Sequence, residues 1–308
     1  MKVFVAVLAL FAVAGAEVTE DFGEYFENFK PNITLSDITF TLYQRKHNGS
    51  GIQMFLGDKE SIKKAGFDPK LPVKVATHGY QADACGDSVQ CLRKAFHAQE
   101  DCNFISIDWS KYSKNILYDQ AALAVKPVGI HISKFLRFLR DETKFDIKKL
   151  HVIGHSLGAQ VVSFASDEFP NEKVGRITGT DPAGPIFQNL PNKERLDASD
   201  AHFVDVIHTN TIYLGIFRPS GTVDYYVNGG NNQPGCDKWD FFCHHNMAHR
   251  YITHSVKNNK NFDSVKCKDL KEAVEGKCNG EKAPMGIGAT AAKPGIYYTK
   301  IDKAPEFC

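Results

Sequence analysis

The sequence predicts an α/β protein in which a mostly parallel central sheet is covered by helices on both faces. Short β-rich runs alternate with helical stretches, and this order requires crossover connections between parallel strands. The chain has 308 residues, 43% of them hydrophobic, which is enough for one substantial core. No internal repeat or long linker interrupts it. Active residues of such sheets gather at the carboxyl ends of the strands.

The individual elements follow from local composition. Runs rich in β-branched and aromatic residues predict strands over residues 38–43, 52–56, 73–77, 103–108, 150–154, 176–180, 203–208 and 222–227. Helical periodicity predicts helices over residues 88–98, 119–141, 157–169 and 247–256. The turn His47-Asn48-Gly49 joins the first two strands as a hairpin.

The first 16 residues have the pattern of a secretion signal. Lys2 is followed by an apolar run from Val3 to Val13 and by the small residues Ala14-Gly15-Ala16. We therefore expect a mature chain of residues 17–308 that forms a single α/β domain and is secreted. No later run is long and apolar enough to predict a membrane-spanning helix.

Charge balance and cysteine content indicate which partners and which cellular compartment to expect. Without Lys2, 36 Lys and Arg balance 36 Asp and Glu, so the composition gives no case for nucleic-acid binding. In an oxidising compartment eight cysteines indicate disulfides rather than metal ligands. Spacing suggests the local pairs Cys91–Cys102, Cys236–Cys243 and Cys267–Cys278, leaving Cys85 and Cys308 for each other, although spacing alone does not fix connectivity. Two sequons, at Asn32 and Asn48, fit an extracellular glycoprotein.

Ser156 is the candidate nucleophile. It lies in Gly154-His155-Ser156-Leu157-Gly158, a G-x-S-x-G match between a predicted strand and a predicted helix. So sharp a turn crowds the backbone two residues on either side of the serine, where only very small residues fit. The alternative interpretation is an ordinary turn serine flanked by glycines.

Asp181 is the candidate acid, because a serine needs a base and the base needs an orienting carboxylate. In sheets of this type the chain order is Ser, then Asp or Glu, then His. Asp181 follows a predicted strand 25 residues after Ser156, and the run Pro182–Pro185 ends that strand abruptly. A turn-capping role is its alternative. Asp205 is the rival, but it lies in mid-strand.

His245 is the preferred base among the downstream histidines, since it lies in the loop before the predicted final helix and Cys243 tethers that loop. The other candidates are His202, His208, His244, His249 and His254. An H-x-x-x-H pair with His249 could hold zinc, but no Glu follows His245 as a metalloprotease motif requires. We expect no metal in the catalytic site.

The backbone NH groups of Tyr80 and Leu157 are the candidate oxyanion hole, which needs two donors near the developing negative charge. Leu157 follows the serine, and Tyr80 follows Thr77-His78-Gly79 at the end of an earlier strand. An ordinary turn is the alternative for His78-Gly79.

With these residues assembled, the chain resembles the secreted animal lipase family, which includes pancreatic lipase and the venom phospholipases A1. The resemblance covers about residues 31–295 and is carried by ATHG, DW, GHSLGAQ, TGTDPAGP, SDAHFVDVIHTN and VDYYVNGGNNQPGC. It implies an α/β-hydrolase fold, the triad Ser156, Asp181 and His245, and the oxyanion donors Tyr80 and Leu157. The family often has Arg two residues after the catalytic His, where this chain has Met247.

Two short loops bear on the substrate. Cys236 and Cys243 enclose only DKWDFF, whereas triacylglycerol lipases of the family have a long lid there, and the loop 211–220 is also short. Both features resemble phospholipase A1 members, so we expect phospholipase A1-type hydrolysis of lipid esters, with triacylglycerol hydrolysis as the alternative. A non-catalytic lipid-binding or storage protein is the alternative of another class. Trp239, Phe241 and Phe242 either enter a lipid surface or pack inward.

The expected partner is a lipid substrate at a membrane or droplet surface, and no cofactor is required. A stretch containing Arg195, Asp197 and Asp200 resembles part of a structural calcium site of the family. A family Glu is replaced at or near Asn192, and a solvated acidic turn is the alternative.

Overall fold

The computed structural model describes residues 33–166, 169, 172–306 and 308. The predicted signal segment and the sequon at Asn32 lie outside these residues, whereas the sequon at Asn48 lies in an exposed turn. The described strands are β1 (Thr39–Tyr43), β2 (Ile52–Met54), β3 (Val73–Thr77), β4 (Asn103–Asp108), β5 (Leu150–His155), β6 (Val174–Thr180), β7 (Ala201–His208), β8 (Val223–Val227), β9 (Phe262–Lys266), β10 (Lys282–Met285) and β11 (Gly295–Thr299).

These strands form one sheet in the order β10-β9-β11-β8-β7-β6-β5-β3-β4-β1-β2. The run from β11 to β4 is parallel throughout, and antiparallel pairs occur only at the two margins, with β1 and β2 on one side and β9 and β10 on the other. The predicted fold class is therefore confirmed. The central strands β5, β6 and β7 are neighbours, so the residues that follow them lie along one edge.

Helices cover both faces of the sheet. They are α1 (Lys59–Ala65), α2 (Asp87–Gln99), α3 (Ser110–Ser113), α4 (Tyr118–Leu123), α5 (Val125–Thr143), α6 (Leu157–Ser163), α7 (Phe241–Lys257) and α8 (Leu270–Glu275). Helices α5 and α6 pack in one core with Val152, whereas α2 and α7 pack in another with its neighbour Ile153. Successive side chains of a strand point to opposite faces, so each central strand supplies both cores.

The helix predicted as the last one is α7, which begins at Phe241, six residues before its predicted start, and α8 follows it. The Asp240 carboxylate caps α7 by accepting a hydrogen bond from the NH group of Cys243 (2.9 Å). The helix predicted over 119–141 is divided at Ala124 into α4 and α5. Pro127 explains the break, because it has no NH group for the carbonyl of Leu123, four residues earlier.

Two of the predicted disulfides are confirmed, Cys236–Cys243 and Cys267–Cys278. The predicted pairs Cys91–Cys102 and Cys85–Cys308 are wrong, because Cys91 bonds to Cys308 and leaves an exposed Cys85 and a buried Cys102 as thiols. The helix runs on from Cys91 to Gln99, which carries the chain about 12 Å along its axis. A disulfide needs Cα atoms within about 7 Å, so proximity in sequence misleads here.

This connectivity makes a prediction for thiol reactivity. Iodoacetamide at pH 8 should alkylate Cys85 in the native protein and reach Cys102 only after denaturation. Burial raises the pKa of the Cys102 thiol to about 12, so almost no thiolate forms there at pH 8. Peptide mass spectrometry without reductant measures both. Denatured protein that carries no alkylated cysteine at either position would contradict the pairing.

Candidate active site

Ser156 lies at the turn between β5 and α6, in a backbone conformation (φ 58°, ψ −124°) that non-glycine residues seldom adopt. A Cβ atom at residue 154 would lie 2.3 Å from the carbonyl oxygen of Gly158, and one at residue 158 would lie 2.4 Å from that of His78. Both glycines are therefore sterically required, as the sequence predicts. The strand–turn–helix context of the G-x-S-x-G motif is confirmed.

Asp181 lies at the tip of β6, the strand next to β5, and is wholly buried. Its Oδ1 accepts hydrogen bonds from the NH groups of Thr209 (2.7 Å) and Asn210 (3.1 Å), which follow β7. Its Oδ2 lies 2.5 Å from Nδ1 of His245. The carboxylate is thus fixed by one strand end and aimed at the imidazole.

His245 lies one turn into α7, not in a preceding loop. Because a carboxylate can only accept, its Nδ1 carries the proton that Asp181 binds, and Nε2 then has its lone pair. The ring lies beside the residue that precedes the serine, with 4.7 Å between the His155 and His245 ring centroids. The Ser156 hydroxyl makes no hydrogen bond to this ring in the structure. Such bonds are often long in ligand-free enzymes and tighten around substrate.

The rival residues have other partners. Asp205 binds the Arg176 guanidinium through both carboxylate oxygens (2.8 and 2.9 Å). Among the other histidines, His208 pairs with Asp224, Nδ1 of His244 accepts from the NH group of Gln233, His254 contacts Asn258, His202 is exposed and His249 packs against His155. Only His245 reaches the Asp181 carboxylate among the histidines in the described part of the chain.

The candidate oxyanion donors flank the serine. A Cβ atom at residue 79 would lie 2.7 Å from that of Ser156, so the Gly79–Tyr80 backbone runs directly against the nucleophile. Leu157 is the first residue of α6, and the first NH groups of a helix have no partner within it. Both backbones are therefore next to Ser156, as an oxyanion hole requires.

Thr209, Asn210 and Gly215 are site residues that the sequence alone did not identify. A Cβ atom at residue 215 would lie 2.5 to 2.7 Å from the carboxylate atoms of Asp181. The only sequence signal for them is their place after the strand that neighbours β6, within the motif SDAHFVDVIHTN and the loop behind it. Backbone NH donors and a missing side chain leave little trace in sequence.

Replacing Gly215 by alanine should lower kcat about a hundredfold, since small misplacements of catalytic groups have effects of this size. The added methyl group would push against a carboxylate that two NH groups hold in place, and so displace His245. Steady-state kinetics with a soluble ester and a melting curve separate this effect from unfolding. Unchanged kcat in the alanine variant would show that the carboxylate position is not critical.

The acidic turn around Asp197 and Asp200, which resembles part of a calcium site in sequence, makes several local hydrogen bonds. Asp200 accepts from the NH group of Asp197 (3.0 Å), and Asp197 accepts from that of Ser199 (2.6 Å). The Asn192 side-chain oxygen accepts from the Arg195 guanidinium (2.5 Å). No cluster of three His, Cys, Asp or Glu side chains that could hold a metal occurs within the described residues, and a calcium site with backbone ligands at this turn stays a prediction.

The order Ser156, Asp181, His245 on three elements at the carboxyl edge of a mostly parallel sheet defines an α/β-hydrolase. Comparison with known proteins specifies the group further. A family model described as Lipase matches residues 17–301, so the chain belongs to the lipase family. The resemblance expected from the sequence motifs is thereby confirmed.

Individual relatives cover most of the chain. It is 33% identical to a probable phospholipase A1, magnifin, of Vespa magnifica, an alignment that covers 91% of this chain and 87% of that protein. It is 31% identical to pancreatic triacylglycerol lipase of Cavia porcellus, over 91% of this chain and 69% of that one. It is also 32% identical to the inactive pancreatic lipase-related protein 1 of Homo sapiens, over 78% and 56%.

Proposed function

We propose that this protein is a serine esterase that hydrolyses carboxylic esters of lipids through an acyl-enzyme, with phospholipase A1-type cleavage. The observation that carries the proposal is the 2.5 Å contact between Asp181 and His245 beside the strained turn of Ser156. A buried carboxylate that orients an imidazole next to a serine is the arrangement that activates a hydroxyl group for attack on an ester.

The chemistry proceeds in two steps. Nε2 of His245 takes the hydroxyl proton as Ser156 attacks the ester carbonyl, and Asp181 stabilises the imidazolium that forms. The NH groups of Tyr80 and Leu157 bind the oxyanion, each contributing about 3 kcal/mol to the lowering of the barrier. The imidazolium then protonates the leaving alcohol, and water activated by His245 releases the fatty acid from Ser156.

Three exposed apolar side chains on loops next to site residues support a lipid surface as the partner. Ile116, Ile212 and Trp239 are 79%, 63% and 68% exposed. Each comes from a loop that contacts one part of the site. The Ile116 carbonyl accepts from the Tyr80 hydroxyl, Ile212 follows Asn210 by two residues, and Trp239 precedes α7. Side chains so placed enter the acyl boundary of a membrane while the site faces the lipid esters.

The short loop between Cys236 and Cys243 favours phospholipids over triacylglycerols. Only six residues lie between the two cysteines, and the last two of them already belong to α7. Within this loop, Trp239 and Phe242 are exposed, whereas Phe241 packs on Tyr213 with 3.9 Å between ring centroids. A loop of this size leaves the entrance open to head groups. The relative named a phospholipase A1 is also similar over nearly its whole length.

We further propose that the protein is secreted and needs no metal for catalysis. Three disulfides among the described cysteines fit an oxidising compartment. No helix among the described residues is long and apolar enough to cross a membrane. The serine, histidine and aspartate complete the proton transfer themselves, so activity should persist in EDTA.

The test compares phosphatidylcholine and phosphatidylserine vesicles with triolein emulsion, with and without EDTA, and determines which acyl chain leaves. Release of the sn-1 fatty acid from phospholipid supports phospholipase A1 action, whereas faster release from triolein reverses the preference. A fluorophosphonate probe of serine hydrolases checks the enzyme itself. Absence of labelling and of turnover on every substrate would favour a non-catalytic lipid-binding protein.

A further inference from the structure

His155 connects the neighbours of all three candidate catalytic residues. Its ring belongs to the residue before Ser156 and is buried. Nδ1 lies 2.9 Å from the carbonyl oxygen of Thr180, the residue before Asp181. Nε2 lies 3.1 Å from the side-chain oxygen Oδ1 of Asn246, the residue after His245. One imidazole therefore bridges three elements, β5, β6 and α7, at the point where each delivers its part of the triad.

The charge state of this ring follows from its surroundings. Burial, together with the adjacent His245 ring, lowers the pKa of His155 to about 3, so the ring is neutral at physiological pH. His249, whose ring centroid lies 4.9 Å from that of His155, also has its pKa lowered by burial. Neither ring then places a positive charge against the imidazolium that forms at His245 during the reaction.

The neutral ring has one defined tautomer. A carbonyl oxygen can only accept, so the proton lies on Nδ1 and is donated to Thr180. Nε2 then has the lone pair, and since an amide oxygen cannot donate to it, the hydrogen-bond network assigns the Asn246 amide with O and N exchanged, so that its NH₂ group faces the ring. The Thr180 carbonyl also accepts from the NH group of Ser156 (3.1 Å), so its two lone pairs bind the strained serine and the ring beside it.

We propose that His155 is a positioning residue, which through Thr180 and Asn246 holds Asp181 and His245 in register with Ser156. The proposal rests on the proposed function, since it concerns the geometry of that same triad. The Asp181–His245 hydrogen bond fixes the rotation of the imidazole but not the approach of α7 to the nucleophile turn. The bond between His155 and Asn246 joins α7 directly to that turn.

The primary test is Asn246→Leu, which removes the amide at similar volume from a half-buried position. We expect kcat for p-nitrophenyl butyrate to fall about tenfold, the effect of one hydrogen bond, with KM within twofold of the original. His155→Leu loses both bonds and should lower kcat about a hundredfold. The double variant should be no slower than His155→Leu, because both substitutions remove one shared interaction.

Asn258→Leu is the matched control. Asn258 also contacts a histidine on α7, with its amide nitrogen 3.1 Å from Nδ1 of His254, but at the far end of the helix. Its kcat should stay within twofold of the original. The proposal is overturned if Asn246→Leu retains full kcat or if Asn246→Leu and Asn258→Leu lose kcat equally. It is also overturned if the losses of kcat caused by Asn246→Leu and His155→Leu multiply in the double variant. Fluorophosphonate labelling of the unsubstituted protein at Ser156 keeps these outcomes distinct from failure of the proposed function.

Discussion

Replacing Ser156 by alanine is expected to lower kcat about 10⁶-fold and to abolish labelling by a fluorophosphonate. Alanine keeps the backbone and removes only the hydroxyl group that attacks the ester. The two glycines that the turn requires stay in place, so the fold should survive. Hydrolysis of p-nitrophenyl butyrate measures kcat, intact-mass analysis measures labelling, and a melting curve shows whether the fold is retained.

Ser163→Ala is the natural comparison, because Ser163 is another buried serine on α6 and donates to the carbonyl oxygen of Gln160 (2.9 Å). It should keep its turnover and its labelling. If the Ser156→Ala protein still turned over at a hundredth of the original rate, some other residue would be the nucleophile. If the unsubstituted protein labelled elsewhere, the same conclusion would follow.

The sequence was most informative where the physics is local. The requirement for Gly154 comes from crowding within five residues, because a Cβ atom there would lie 2.3 Å from the carbonyl oxygen of Gly158. The requirement for Gly158 comes instead from the distant His78, whose carbonyl oxygen would lie 2.4 Å from a Cβ atom at residue 158. The placement of Asp181 at a strand tip followed from a β-rich run and the prolines behind it. Local features of this kind are determined by neighbouring residues, so they can be predicted from a single sequence.

The features that were predicted wrongly, or not predicted at all, depend on contacts between distant parts of the chain. Cys91 meets Cys308 across 217 residues, which no spacing rule between neighbouring cysteines anticipates. The strands β9, β10 and β11 were not predicted, although GIYYT of β11 is rich in residues that favour strands. The segment KAPM of β10 has no such pattern and is a strand through its pairing with β9 at the margin of the sheet.

The start of α7, at the candidate active site, was also predicted wrongly because it depends on tertiary contacts. The stretch from Phe241 to Asn246 offers no strong helix signal, and its helical state depends on the Asp240 cap and on the disulfide to Cys236. Because His245 lies within this first part of the helix, its side chain projects from a rigid element toward Asp181. The sequence indicated that His245 is the candidate base, but not that a helix determines the position of its side chain.

Asp181→Asn is expected to lower kcat about 10⁴-fold through the tautomer of His245. The remaining amide oxygen would still accept from Thr209 and Asn210, so the NH₂ group would face Nδ1 of His245. Nδ1 would then have to accept, which moves the imidazole proton to Nε2 and leaves no lone pair for the Ser156 proton. Asp205→Asn, the same substitution at another buried acid, disturbs the pair with Arg176 and should lower the melting temperature while the folded protein keeps its kcat. Equal losses of kcat in the two variants would mean that the Asp181 carboxylate acts only in stability.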